Sequence, residues 1–181
     1  MRIIAGTARG VRLAPVPAGT RPVSDRVREA IFTSLGPDVE GARVLDLFAG
    51  TGAMGIEALS RGAASALFVD SAPAAVKVVG ENLRRTGLAA RAIIRRQDAL
   101  RAVRQKPGQF GLVLLDPPYA LPGPELDRLL AEVAGQGVAS AGATVLVTRS
   151  ARSYMPVIPV DWQAIRRHSY GDAVVLVFQT P

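Results

Sequence analysis

From Arg43 onward, short apolar runs alternate with longer stretches in which apolar residues recur every third or fourth position. Arg43–Phe48, Ser65–Asp70, Ala90–Arg95, Gly111–Asp116 and Ala143–Thr148 are runs of strand length, rich in Val, Leu and Ile. Near-continuous apolar runs suit strands that are covered on both faces. Between them, Ala53–Arg61, Ala72–Thr86 and Glu125–Ala134 carry helical spacing. Glu57 and Arg61 stand four residues apart, where side chains on one helix face meet. Ser71 is placed to cap the helix that starts at Ala72, and Pro73 fits its first turn. Trp162–Arg167 and Ala173–Gln179 read as two further strands. Strands alternating with helices through short links predict an α/β, Rossmann-like fold. Its sheet is mostly parallel and seven-stranded, with helices on both faces.

The first 35 residues break this pattern. Residues 1–23 alternate short apolar runs with Gly and Pro, which predicts a small hairpin or arm. Ser24 and Asp25 are good N-cap residues, and Val27, Ala30, Ile31 and Leu35 then recur at helical spacing up to Gly36-Pro37. The chain therefore divides into an arm and helix over 1–35 and an α/β domain over 36–181.

Charge sharpens that division. The 181 residues hold 22 Lys and Arg against 15 Asp and Glu, a net charge of +7. Six arginines (Arg2, Arg9, Arg12, Arg21, Arg26 and Arg28) fall within residues 1–29 against Asp25 and Glu29. A basic segment at one end is the footprint of a polyanionic partner. Arg9, Arg12, Arg21, Arg26 and Arg28 are the candidate contacts, because a guanidinium offers a fork of donors to phosphate oxygens. Arg28 is also spaced to pair with Asp25. So basic and glycine-broken an arm is not expected in the core of the sheet.

The composition excludes several chemistries. There is no cysteine, and His168 is the only histidine. Disulfides, thiolate zinc sites, cysteine nucleophiles and multi-histidine metal sites are ruled out, so no metal is expected. His168 stands near an apolar strand, where a lone histidine is usually structural. No apolar run approaches the ~20 residues that cross a membrane, and the N-terminus lacks the long apolar stretch of a signal peptide. A cytoplasmic, monomeric protein without a membrane partner is expected.

The candidate chemistry gathers where the strands end. Asp46 stands near the end of the first strand, Asp70 closes the second, Asp98 follows the third and Asp116 closes the fourth. In open α/β sheets, ligands bind beyond the carboxyl ends of the strands. Gly50-Thr51-Gly52-Ala53-Met54-Gly55 matches G-x-G-x-x-G between a strand and a helix. Asp70 lies in the region that holds ribose hydroxyls.

Asp46 separates two kinds of ligand. A dinucleotide sets its pyrophosphate on such a loop, and a carboxylate four residues before the first glycine would repel it. S-adenosylmethionine carries a sulfonium and an ammonium instead. Opposite charges 4 Å apart gain ~1 kcal/mol in water and ~4 kcal/mol at an effective dielectric of 20. The stretch Asp46-Leu47-Phe48-Ala49-Gly50-Thr51-Gly52 therefore favours S-adenosylmethionine over a nicotinamide cofactor.

Asp116-Pro117-Pro118-Tyr119 follows the apolar run Leu112–Leu115. Proline cannot donate to a ladder, so the strand ends here, and two fixed φ angles make the loop stiff. The Asp116 carboxylate and the Pro117 carbonyl can accept the two N–H bonds of an exocyclic amine. That draws the nitrogen towards tetrahedral geometry and frees its lone pair. Tyr119 offers a stacking face worth ~1–3 kcal/mol, and a paired base would be flipped out to reach it.

These motifs resemble the class I methyltransferases that act on exocyclic amines of nucleic-acid bases. The stretches Met1-Arg2-Ile3-Ile4-Ala5-Gly6, Arg9-Gly10 and Arg21–Phe32 resemble the opening of the RsmD family, the 16S ribosomal RNA guanine-N2 methyltransferases. Asp46–Gly52, Glu57–Ala63 and Asn82 fit the same family. The resemblance implies S-adenosyl-L-methionine as cofactor, with Asp70 on its ribose, Asp98 on its adenine amine, and Gly50 and Gly52 admitting its methionine end. Phe48, Ala49, Thr51, Ser71 and Ala99 complete the expected cofactor site, and Pro118 joins Asp116, Pro117 and Tyr119 at the catalytic loop. The arm over 1–35 is expected to bind RNA and cover the cofactor. The partner implied is 16S ribosomal RNA, or the small subunit during assembly, and the target is the guanine usually numbered 966. At the end of the fifth strand, where the family leads one to expect an acidic residue, this chain has Thr148-Arg149-Ser150.

Three other readings compete. An adenine-N6 methyltransferase on DNA or RNA would use the same tetrad. A binding module without turnover would need neither the glycine loop nor the tetrad. A nicotinamide oxidoreductase is opposed by Asp46.

Overall fold

Seven strands form one sheet in the order β3-β2-β1-β4-β5-β7-β6. They are β1 (Arg43–Leu47), β2 (Ser65–Asp70), β3 (Ala92–Arg96), β4 (Phe110–Leu115), β5 (Ala139–Ser150), β6 (Gln163–Tyr170) and β7 (Ala173–Gln179). In this computed structural model, residues 1–15 and 23–181 are described. The first five strands pair in parallel, and β7 pairs antiparallel to both β5 and β6. The mostly parallel seven-stranded sheet is as the alternation of apolar runs predicts.

The helices are α1 (Asp25–Leu35), α2 (Ala53–Ser60), α3 (Pro73–Thr86), α4 (Ala99–Arg104) and α5 (Gly123–Gly135). Alternate strand residues face opposite sides. Val44, Leu112, Leu114, Leu146 and Val175 pack with α1, α2 and α3 on one face. Leu45, Val113, Val145, Val147 and Leu176 pack with α4 and α5 on the other.

Three sequence expectations change. Ser71 does not cap α3: the N-cap position is Ala72, without a side-chain hydrogen bond, and the helix starts at Pro73. The short helix α4 escaped the periodicity, although Asp98, its N-cap, accepts from Arg101 N at 3.0 Å. The arm stays outside the seven-stranded sheet and closes on itself through an antiparallel bridge between Arg2 and Arg12. Its apolar side chains nevertheless enter the core, with Ile3, Ala8 and Leu13 buried in the α1–α3 cluster.

Polar groups of α2 and α3 hold the arm in place. Glu57 accepts from Ile4 N at 2.8 Å and Ala5 N at 3.1 Å, and Ser60 Oγ accepts from Ala8 N at 2.9 Å. Asn82, fully buried, accepts from Ala14 N at 2.7 Å and donates to Ala14 O at 3.1 Å. Backbone groups of the arm that are buried or partly buried are thereby satisfied.

Candidate active site

Between β1 and β4 the order of the strands reverses, and the sheet opens a crevice at their carboxyl ends. A cavity of about 390 Å³ occupies it. Asp46, Phe48, Ala49, Gly50, Thr51, Asp70, Ser71 and the whole tetrad Asp116–Tyr119 line it together. Asp46 and Asp116, 70 positions apart in the chain, meet there because β1 lies between β2 and β4 in the sheet.

The glycine loop explains its own composition. Phe48 adopts a φ of 65°, a left-handed conformation that is uncommon for a bulky residue. Gly52, the N-cap of α2, has φ 77°. It stands just behind the cavity lining and turns the chain into the helix. At Gly55 a Cβ would lie 2.4 Å from the Phe68 ring and 2.9 Å from Asp46 Oδ2. Only glycine lets α2 pack this closely on the sheet. Asp70 Oδ2 accepts from Gly50 N at 2.8 Å and its Oδ1 from Ala72 N at 2.9 Å. Asn82 Nδ2 donates to Thr51 O at 2.9 Å, so one buried side chain ties the glycine loop to the arm.

Asp46 is 2 % exposed and receives one hydrogen bond, from Gly55 N at 2.9 Å. Burial pushes its carboxyl from 3.8 up to about 7; the Gly55 N–H pulls it back, and the charges of Asp116 and Asp70 raise it further. Burial likewise pushes Asp116 up to about 6, opposed by a hydrogen bond from Thr148 Oγ1. Three carboxylates thus face one cavity, and two of them are hard to ionise without a cation. The donor set suits a ligand that carries positive charge.

Not every expected residue reaches the cavity. Asp98 and Ala99 lie outside its lining: the Asp98 carboxylate caps α4, and Ala99 packs into the α4–α5 cluster. Arg28 corrects the expectation of a surface phosphate contact. Its side chain is 0 % exposed and borders the cavity from inside. It pairs with Asp25 at 3.0 Å and approaches Glu57 at 3.6 Å, and it donates to Arg2 O. The pairing with Asp25 seen in the residue spacing is present. Glu57 also meets Arg61 at 2.7 Å, as their spacing requires. Arg9, Arg12 and Arg26 are exposed, and Arg21 lies outside the described residues.

Thr148 and Arg149 were visible in the sequence only as a departure from the family. Both are buried. Arg149 donates to Pro118 O and Leu121 O, each at 3.5 Å. Burial lowers its pKa from the ordinary arginine value, and Tyr119 partly opposes this. Tyr119 is 46 % exposed at the mouth of the cavity.

A Rossmann-like sheet with a glycine loop and an Asp-Pro-Pro-Tyr loop on one rim defines the class of protein as a methyltransferase. The family model "Conserved hypothetical protein 95" matches residues 1–179. The chain belongs to this family, the RsmD family. It is 34% identical over 181 residues to Ribosomal RNA small subunit methyltransferase D of Escherichia coli (strain K12), covering 99% of this chain and 89% of that protein. It is 34% identical over 183 residues to YlbH of Bacillus subtilis (strain 168), covering 99% and 98%. The solved structure of yhhF from Escherichia coli superposes with a TM-score of 0.88 at 33% identity, covering 99% of this chain and 97% of that one. Among the described residues, no helix is long and apolar enough to cross a membrane.

Proposed function

We propose that this protein methylates the exocyclic N2 of a guanine in 16S ribosomal RNA, with S-adenosylmethionine as methyl donor and guanine 966 as the target. The observation that carries the reading is the meeting of Asp46, Asp70 and Asp116 in one cavity beneath an exposed Tyr119. The full-length likeness to an enzyme named for the small-subunit ribosomal RNA supports the choice of substrate.

Each residue then has a task. The bound S-adenosylmethionine supplies an electrophilic methyl carbon on a sulfonium. Asp46 offers its charge to the ammonium and sulfonium end, and ionises as that cation replaces the missing hydration. Both Asp70 oxygens already accept backbone N–H groups, which fixes the carboxylate with lone pairs left for ribose hydroxyls. Asp116 and the Pro117 carbonyl accept the amine N–H bonds, and Asp116 takes the proton that the amine gives up on methylation. Tyr119 stacks on the flipped base.

Labelled S-adenosylmethionine offered with 16S ribosomal RNA, small subunits or DNA, followed by nucleoside analysis, tests the reading. N2-methylguanosine from the ribosomal substrates is the expected product. N6-methyladenosine, or label on DNA, would assign the tetrad to adenine instead. Asp116→Ala should lower transfer by at least roughly a hundredfold while calorimetric S-adenosylmethionine affinity stays near wild type.

A further inference from the structure

We propose that Thr148 and Arg149 are positioning residues that clamp the catalytic loop from the two faces of the sheet, Thr148 aiming the Asp116 carboxylate and Arg149 holding the loop backbone behind it. The inference rests on the reading of Asp116 as the acceptor of the target amine.

Adjacent strand residues point to opposite sides. On β5, Leu146 packs into the α1–α3 cluster and Val147 into the α4–α5 cluster, so Thr148 and Arg149 continue that alternation. The side chain of Thr148 is 3 % exposed, and its hydroxyl donates to Asp116 Oδ1. That bond leaves Oδ2 as the oxygen free to receive an amine. Arg149 is 1 % exposed and has no carboxylate within salt-bridge distance among the described residues. A buried guanidinium without a counter-charge is costly, and its Nε finds no hydrogen-bond partner. What it does reach are the carbonyls of Pro118 and Leu121, on either side of Tyr119. Those contacts span the segment that carries the stacking ring.

The hydroxyl has an electrostatic consequence as well. Asp116 shares its surroundings with Asp46 of β1, Asp70 of β2 and Arg28 of α1 in the cofactor cavity. Tyr119 in its own loop, Tyr170 of β6, Asp172 of the β6–β7 turn and Arg149 of β5, whose guanidinium is turned to the carbonyls of Pro118 and Leu121, line the neighbouring cleft with it. Arg28 is already engaged by Asp25, which leaves the Thr148 hydroxyl as the group that stabilises the charged carboxylate directly. Removing it should raise the Asp116 pKa.

The test measures single-turnover methylation of small subunits against pH for Thr148→Val and Thr148→Ser, with Asp116→Ala alongside. Thr148→Val should slow transfer roughly tenfold at neutral pH and move the acid limb of the rate profile upward by roughly one pH unit. S-adenosylmethionine affinity should stay near wild type, and Thr148→Ser should restore both rate and limb. Arg149→Met should raise KM for the RNA more than it lowers kcat, with Arg149→Lys recovering part of the loss. If Thr148→Val does not fold, the comparison of Thr148→Ala with Thr148→Ser carries the same test. An acid limb unmoved in the variant lacking the hydroxyl, with Asp116→Ala inactive, overturns the clamp and leaves the active-site reading standing. An active Asp116→Ala overturns that reading itself.

Discussion

A buried carboxylate with one hydrogen bond is costly to ionise, and Asp46 is such a group. Its pKa is about 7 in the folded protein against the ordinary 3.8. The native state therefore keeps a proton that the unfolded chain releases. This group's contribution to stability is full below pH 3.8, declines as pH rises, and is lost once pH passes about 7. Asp46→Asn keeps an acceptor for the Gly55 N–H and removes the charge. It should melt several degrees above wild type at pH 8 and close to it at pH 4, as scanning calorimetry at the two pH values would read. The same variant should bind S-adenosylmethionine at least roughly tenfold more weakly at pH 8. Equal melting temperatures at pH 8 would mean that the carboxylate is not penalised as its burial implies.

At the scale of elements, the arm, α2 and α3 act as one packed unit. Asn82 is the joint, bonded to Ala14 on the arm and to Thr51 on the glycine loop. Asn82→Ala leaves the buried Thr51 carbonyl and two partly buried groups of Ala14 without their partner, and a loss of about 2 kcal/mol is expected from the urea midpoint. Because Thr51 lines the cavity, S-adenosylmethionine affinity should fall with stability. A variant with wild-type affinity would uncouple the loop from the arm. Removing residues 1–20 takes away Ile3, Ala8 and Leu13 and leaves their core contacts empty. Such a chain is expected to fold poorly, which limits what truncation can say about RNA binding.

For the whole molecule, net charge and its placement decide how RNA is met. We propose that Arg9, Arg12 and Arg26, all exposed, contact phosphates around the substrate. Changing the three to alanine should weaken RNA binding in every sequence context. It should also flatten the salt dependence by roughly one unit of slope per lost contact, with the melting temperature unchanged. Arg28→Met should do the reverse, costing about 3 kcal/mol of stability by removing one of the two cations beside the buried Glu57 and the donor to Arg2 O. Filter binding across a salt series and thermal melts of the same samples would separate the two kinds of arginine. A triple variant with the wild-type slope would show these arginines to be ordinary solvated surface.

How much of this was legible varies with the range of the interaction. The strands, α2 and α3 follow from patterns a few residues long, and so do the Glu57–Arg61 and Asp25–Arg28 pairs, because their partners are set by helix geometry. Helix α4 is not legible, because six residues carry too little periodicity to outweigh their neighbours. The burial of Arg28 is not legible either, because a row of arginines looks alike until one of them is enclosed.

By itself, the order of apolar and polar residues determined an α/β sheet, its glycine loop and the four aspartates at its strand ends, since each depends on local backbone geometry. Which of those aspartates share a cavity was decided only when β4 took its place beside β1. That neighbourhood joins Asp46 to Asp116, and the pairing of β5 with β4 sets Thr148 on the latter, while the Asp98 carboxylate is taken up locally as the cap of α4. The elevated pKa values arise there too, because desolvation depends on everything that surrounds a group, and no stretch of sequence contains its own surroundings.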